Sequence, residues 1–252
     1  MSDQANKART FAALHVKGNP LVLFNVWDAG SAKAVTEAGA KALATGSWSV
    51  AAAYDYADGE KIPLDLALEN FKRIAAVTPL PVSMDIESGY GKTPEEVGRT
   101  IARSIEAGAI GCNLEDSFPA DGKLRDVADQ VLRIRAARNA AEAAGIPYFI
   151  NARTDVFLQG AAKDHDAAMV EAAVERAKAY ASAGASGVFA PGLVDQALIT
   201  RLAEASPLPL NIMASGEVSE VARFARAGVA RVSYGPTPYR IAMKALTALV
   251  KA

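Results

Sequence analysis

Short apolar runs alternate along the whole chain with longer runs in which apolar residues recur every three to four positions. The short runs predict strands at 21–26, 42–46, 81–87, 110–116, 148–154, 187–192, 209–215 and 231–235. Each is almost continuously apolar, the pattern of strands covered on both faces rather than of a half-exposed antiparallel sheet. The longer runs predict helices at 29–38, 64–77, 94–107, 127–144, 164–183, 194–203, 218–227 and 238–250, with an extra helix at 3–16 ahead of the first strand.

Punctuation between the runs agrees with this reading. Ala38-Gly39-Ala40, Ala107-Gly108-Ala109, Ala183-Gly184-Ala185 and Ala227-Gly228-Val229 each fall between a helix and the next strand. Glycine just past a helix end supplies the left-handed residue that stops it. Thr93-Pro94-Glu95-Glu96 reads as a capping box with proline at the first helical position. Eight successive βα units without a break in composition predict one α/β domain over 1–252, a (β/α)8 TIM-type barrel. A doubly wound open sheet is the rival, but no G-x-G-x-x-G follows any strand.

Composition narrows the function classes. The 252 residues are 51% hydrophobic and 22% charged, ordinary for a globular protein. Twenty-seven basic and 28 acidic residues leave a net charge of -1, so no bulk field recruits nucleic acid or an anionic membrane. One cysteine excludes a disulfide framework and a multi-cysteine metal site. With no membrane-length apolar run and a polar Met1-Ser2-Asp3-Gln4 start, a cytoplasmic protein is expected.

Barrels of this type carry their chemistry at the C-terminal ends of the strands. Those ends hold Asp85 and Glu87, Asn113 and Glu115 beside Asp116, Asn151 and Arg153, and Asn211 and Ser215, while the second strand runs into Gly46-Ser47-Trp48-Ser49. Alternation puts each of the pairs Asp85/Glu87, Asn113/Glu115 and Asn151/Arg153 on one face. Met84, Ile86, Cys112, Leu114, Ile150 and Ala152 fall on the opposite, helix-facing side. Carboxylates crowded in a concave mouth repel one another and are best tolerated around a divalent cation. Oxygen donors without histidine or thiolate point to magnesium, or manganese, rather than zinc or copper. Arg153 would then take a substrate carboxylate in two-pronged fashion. Interior ion pairs without a metal would use the same residues.

Other chemistries lack material. His15, in the leading helix, and His165, at the start of a later one, are the only histidines, and both are expected on the surface, away from the strand ends. A Ser-His-Asp triad or a histidine-bound metal therefore cannot be assembled. No strand interior contains lysine, which argues against a Schiff base. Cys112 is expected in the core, Trp27 against the barrel rim, and Lys33 and Arg240 on helix surfaces. Ser215-Gly216 and Tyr234-Gly235-Pro236-Thr237 follow the last two strands, where barrels often bind phosphate.

At these residues the sequence resembles the isocitrate lyase/phosphoenolpyruvate mutase superfamily. The motifs are Asn25-Val26-Trp27-Asp28-Ala29-Gly30-Ser31-Ala32, Thr45-Gly46-Ser47-Trp48-Ser49, Asp85-Ile86-Glu87-Ser88-Gly89-Tyr90-Gly91, Asn113-Leu114-Glu115-Asp116 and Asn151-Ala152-Arg153-Thr154-Asp155. The resemblance implies a magnesium-dependent enzyme acting on small 2-keto or 2-hydroxy carboxylates through an enolate-like intermediate, with a carbon–carbon lyase as the expectation. Phosphonopyruvate-type P–C chemistry, keto-acid decarboxylation and a non-catalytic keto-acid binder are the alternatives. It implies that Asp85 touches the metal directly, that Asp58, Glu87 and Glu115 hold it through water, and that Ser47 with neighbouring N–H groups and Arg153 hold the substrate. Gly46, Trp48 and Asn211 complete the expected substrate site. A homo-oligomer, a dimer or tetramer, with the last helix swapped onto a partner, is implied as well.

Two positions depart from the family pattern. Glu87 stands where the family usually has aspartate, and the loop from Ser117 to Asp126 lacks both the cysteine-containing K-[KR]-C-G-H segment of the lyases and the K-x-N-S pattern of the mutases. Lys123 or Arg125 is the expected replacement for the missing proton-transfer group if this loop closes as a lid.

Overall fold

The computed structural model describes residues 2–214 and 220–251. Parallel strands β1 (Leu21–Leu23), β2 (Asn25–Val26), β3 (Leu43–Thr45), β4 (Val82–Asp85), β5 (Gly111–Glu115), β6 (Phe149–Arg153), β7 (Gly187–Ala190), β8 (Leu210–Met213) and β9 (Arg231–Ser233) form one sheet in the order β1-β9-β8-β7-β6-β5-β4-β3-β2. β1 and β2 are halves of a single run interrupted at Phe24. β1 pairs with β9 and β2 with β3, so the interrupted strand brings the two edges of the sheet together into a barrel. The expected α/β TIM-type architecture is what the chain adopts.

Helices α1 (Asp3–Ala13), α2 (Ala29–Glu37), α3 (Ser47–Ala53), α4 (Leu64–Ala76), α5 (Pro94–Glu106), α6 (Val127–Ala143), α7 (Ala167–Ser182), α8 (Gln196–Ala205), α9 (Val221–Arg226) and α10 (Thr237–Val250) follow the predicted order. The capping box at Thr93 and Glu96 is formed. α3 is the one addition. It opens at Gly46 without a capping side chain and lasts two turns, so it left neither a start signal nor a period to read. α7 starts later than predicted, because Asp166 rather than Asp164 caps it. Ser215 and Gly216, with the end of the seventh predicted strand and the start of its helix, lie outside the described residues.

Register carries the pairings that matter. Asp85 lies beside Asn113, Asn113 beside Asn151, and Glu115 beside Arg153. Met84, Ile86, Cys112, Leu114, Ile150 and Ala152 are all buried on the helix side, as their parity predicts.

α1 covers the barrel's lower end. Phe11 is sealed from solvent and meets Phe149, the first residue of β6, edge-on at 5.4 Å. His15 stacks on the same ring at 4.1 Å and donates Nδ1–H to the Phe11 carbonyl at 2.8 Å. The surface placement expected for His15 is therefore corrected: burial first, and the charge of Arg231 second, push its imidazole down to about 3. His165 is likewise half-buried, edge-on to Phe157 at 5.3 Å. Among the described residues no helix is long and apolar enough to cross a membrane.

Candidate active site

The upper rim is built around Asp85, the last residue of β4. Its backbone N–H donates to the Thr45 hydroxyl at 2.9 Å. Its carboxylate accepts from the Ser47 N–H at 3.1 Å and the Glu87 N–H at 3.3 Å. The first N–H of α3 thus faces an acidic side chain, a favourable pairing with the helix dipole.

Beyond Asp85 the chain turns sharply. Glu87 and Tyr90 take φ of 52° and 49°, left-handed values uncommon for residues with side chains, and Gly89 takes 104° between them. A Cβ on Gly89 would approach Val97 to 3.0 Å, so the tight fit against α5 also requires glycine. The fully buried Arg133 of α6 holds the turn by donating to the Ser88 and Gly91 carbonyls at 2.6 and 2.9 Å. Strain of this kind persists only where surrounding bonds over-determine it.

That turn is laced to a second one. The Glu87 carboxylate accepts from the Gly59 and Glu60 N–H groups at 2.8 and 2.6 Å and from the Tyr90 hydroxyl at 3.2 Å. Glu60, also left-handed at φ 58°, accepts from the Ser88 hydroxyl at 2.7 Å and the Tyr90 N–H at 2.8 Å. The lacing seats Asp58 at the mouth, where it lines the same cavity as Ser47.

Arg153 ends β6 with three bonds to two carboxylates. Nη1 meets Glu115 at 2.7 Å, while Nε and Nη2 grip Asp155 at 2.6 and 3.0 Å. Asp116 points outward instead, to Arg176 at 3.0 Å and the Tyr180 hydroxyl at 2.7 Å.

A cavity of about 180 Å³ opens between these elements. Asp58, Asp85, Ser47, Gly46, Trp48 and Arg153 line it. Glu87 and Glu115 stand behind that wall. Asn211 does not reach the cavity: it accepts from Asn151 at 3.1 Å and donates to the Ser233 hydroxyl at 3.1 Å in a buried polar ladder beneath the floor. Lys123 lies apart as well, with its side chain 79% exposed and paired to Asp121 at 3.0 Å. Its loop is a folded hairpin, closed by a Phe118 N–H to Lys123 carbonyl bond at 2.9 Å and by Arg125 stacked on Phe118 at 4.0 Å. Arg125 turns its charge to Asp129 at 3.1 Å.

The acids perturb one another. Burial, then the charges of Asp58 and Asp85, push Glu87 up to about 7. Asp58 is raised by the desolvating mouth and by Asp85. Burial also pushes Glu115 up, against the pull of Arg153. Like-charge crowding is relieved by a cation. Among the described residues no three acidic, histidine or cysteine side chains close on one point to enclose an ion. The donor set fits magnesium, which keeps most of its waters and needs one or two direct carboxylates, and Asp58 and Asp85 are the two that face the cavity.

Residues that sequence reasoning left without a role are Thr45, Glu60, Tyr90, Arg133 and Asp155. The Gly-Tyr-Gly run signalled the turn, but nothing in the sequence marked its bond to residues 58–60, because that partner lies on a separate loop.

Fold and rim together define an α/β-barrel enzyme with an acidic, arginine-braced mouth. The sequence profile of the phosphoenolpyruvate phosphomutase family matches residues 11–252, and the chain belongs to that family. It is 31% identical to 2-methylisocitrate lyase of Escherichia coli K12 over 211 residues, covering 80% of this chain and 68% of that one. To oxaloacetate decarboxylase of Pseudomonas savastanoi pv. phaseolicola it is 30% identical over 250 residues, covering 94% and 81%. A crystal structure from Burkholderia cenocepacia J2315, provisionally named a phosphonomutase, superposes with a TM-score of 0.96 at 57% identity, covering 98% of each chain. Relatives of the chain are lyases and mutases of small carboxylates.

Proposed function

We propose that the protein is a magnesium-dependent lyase that breaks a carbon–carbon bond of a small 2-oxo or 2-hydroxy carboxylate through an enolate-like intermediate. The observation that carries this reading is the convergence of Asp58, Asp85 and Arg153 on one cavity, with Glu87 and Glu115 immediately behind. When bound, Mg2+ supplies positive charge beside the oxygens on which an enolate accumulates negative charge. Asp85 and Asp58 would hold it directly, with Glu87 and Glu115 acting through water. Arg153 retains one unpaired N–H on each of Nη1 and Nη2 and orients the substrate carboxylate. Glu115 fixes the guanidinium through its 2.7 Å ion pair, while burial pushes its carboxyl up against that pull. Trp48 and the start of α3 line one side of the cavity.

Decarboxylation is the second reading. The hairpin holds Lys123 away from the cavity, and loss of CO2 needs no acid or base from a lid.

We also propose a homo-oligomer. α10 buries none of its side chains and exposes Ile241, Leu246, Leu249 and Val250 at 63, 58, 75 and 81%. An apolar groove of about 610 Å³ lies open between α1, α2 and β1, lined by Leu14, Leu21, Phe24 and Val35. Helix and groove are complementary surfaces for a swap between copies.

Turnover with and without Mg2+, on a panel of 2-methylisocitrate, oxaloacetate, phosphonopyruvate and 4-hydroxy-2-oxopentanoate, tests the reading. Mg2+-dependent carbon–carbon cleavage of any member supports it. Tight Mg2+-dependent oxalate binding without turnover of any of them turns the assignment to a keto-acid-binding protein.

A further inference from the structure

We infer that the site selects a 2-oxo or 2-hydroxy acid whose only carboxylate is at the head and whose far end is uncharged and apolar. The inference rests on the reading above and names the substrate class within it.

The cavity has two chemically distinct halves. Among the described residues, every charged group on its wall comes from one arc of the barrel: Asp58, Asp85 at the end of β4, and Arg153 at the end of β6. The opposite arc, formed by β7, β8 and the loops after β6, β7 and β9, presents Leu158, Phe189, Pro191, Met213 and Pro236. Met213 packs beside the Gly235 backbone there, its sulfur 2.6 Å from where a Cβ on Gly235 would be.

Among the described residues no cation faces that arc, and Arg153 is the only basic residue lining the cavity. Arg176 is spent on Asp116, and Arg125 on Asp129. Arg231 is sealed beneath the floor, with Nη2 toward Asn113 at 3.5 Å. Arg240 lies on the Trp48 ring at 4.6 Å, off the cavity wall. The stretch Ser215-Gly216-Glu217-Val218-Ser219, which follows β8, contains no basic residue in any case.

Polar groups on the floor are largely committed. Asn25 accepts from the Tyr234 and Gly235 N–H groups at 3.2 and 2.8 Å, and the Ser233 hydroxyl accepts from Asn211. A second carboxylate or a phosphonate reaching across would lose its water without gaining a counter-charge, whereas an alkyl end gains apolar contact.

Calorimetry on the full chain with 2-oxopentanoate and 2-oxoglutarate, which differ only in a terminal methyl against a carboxylate, tests this, with oxalate as the head-group probe. Oxalate should bind only with Mg2+ present, and 2-oxopentanoate should bind at least about tenfold tighter than 2-oxoglutarate. Equal affinities, or a preference for 2-oxoglutarate, overturn the inference while leaving the proposed function standing. Absence of Mg2+-dependent oxalate binding overturns the proposed function itself. A Met213→Lys variant that keeps its melting temperature should gain affinity for 2-oxoglutarate. No gain there shows that the far end lies elsewhere and also overturns the inference.

Discussion

Arg153 and Asp155, two residues apart on the same chain turn, are joined by two parallel hydrogen bonds, Nε to Oδ1 at 2.6 Å and Nη2 to Oδ2 at 3.0 Å. The fork fixes the guanidinium plane, and Asp155 is fixed in turn by the Ser117 hydroxyl at 2.6 Å. Asp155 also takes its backbone N–H to Asp116 at 2.9 Å, so the brace reaches into the helix layer through Tyr180 and Arg176. What is left free on Arg153 is a narrow set of N–H groups in a set orientation.

A lysine at this position keeps the charge and loses the fork. Arg153→Lys should weaken Mg2+-dependent oxalate binding by about 1.5–3 kcal/mol, the range for hydrogen bonds to charged groups. Calorimetry decides it. Unchanged affinity would mean that Arg153 serves only to hold Glu115 and Asp155.

Asp85 sits where three like charges converge, and its removal acts differently on folding and on binding. Asp85→Ala should abolish Mg2+ binding while leaving the melting temperature in EDTA equal or higher, because a repelling charge next to Asp58 and Glu87 is gone. Measurable Mg2+ affinity in the variant would contradict the metal assignment.

The barrel and its acidic rim were legible in the sequence because both follow from local periodicity. Apolar runs fixed the strands, and parity fixed which side chains face inward, so Asp85, Glu115 and Arg153 fell on the interior side correctly. Depth along the strand was not legible. Asn211 shares the inward parity of the site residues but lies one layer lower, where Asn151, Ser233 and the Ile212 and Arg231 carbonyls satisfy it. Loop conformation was equally hidden: Lys123 sits in a hairpin whose closing bonds are between backbone groups, which carry no residue signature. Gly59 and Glu60 reach Glu87 through backbone N–H groups for the same reason.

Glu87 sets a pH dependence. Its folded value of about 7 stands above the ordinary glutamate value of 4.5, so its contribution to stability is fully present below about 4.5 and is lost as pH rises through 7. In EDTA the melting temperature should therefore fall between pH 5 and pH 7.5 by more than in a Glu87→Gln variant. Saturating Mg2+ should remove most of that fall, since the cation favours the ionised form. Parallel curves for wild type and variant in EDTA would show that Glu87 is ionised throughout.

Lys123 provides a control for the lid. An exposed residue paired only to Asp121 contributes little, so Lys123→Ala should change turnover of any substrate by no more than about twofold, within the ±0.5 kcal/mol usual for such sites. A loss of a hundredfold or more, about 2.7 kcal/mol, would show that the hairpin opens and brings the ammonium over the cavity during the reaction.

The final helix makes the oligomer testable independently of chemistry. α10 exposes a run of apolar side chains that a lone barrel leaves in water, and the groove between α1 and α2 is lined mostly by apolar residues. Each fully buried leucine or isoleucine contributes about 1.5–3 kcal/mol, so covering Ile241, Leu246 and Leu249 on a partner gives several kcal/mol per helix. A single Leu246→Asp change places an unpaired charge in that contact and should shift sedimentation from an oligomer toward the 26.3 kDa monomer. Val35→Asp, on the groove side, should do the same through the other surface. If Leu246→Asp sediments as wild type does, α10 is not the interface; if Leu246→Asp shifts and Val35→Asp does not, the helix docks on a surface other than this groove.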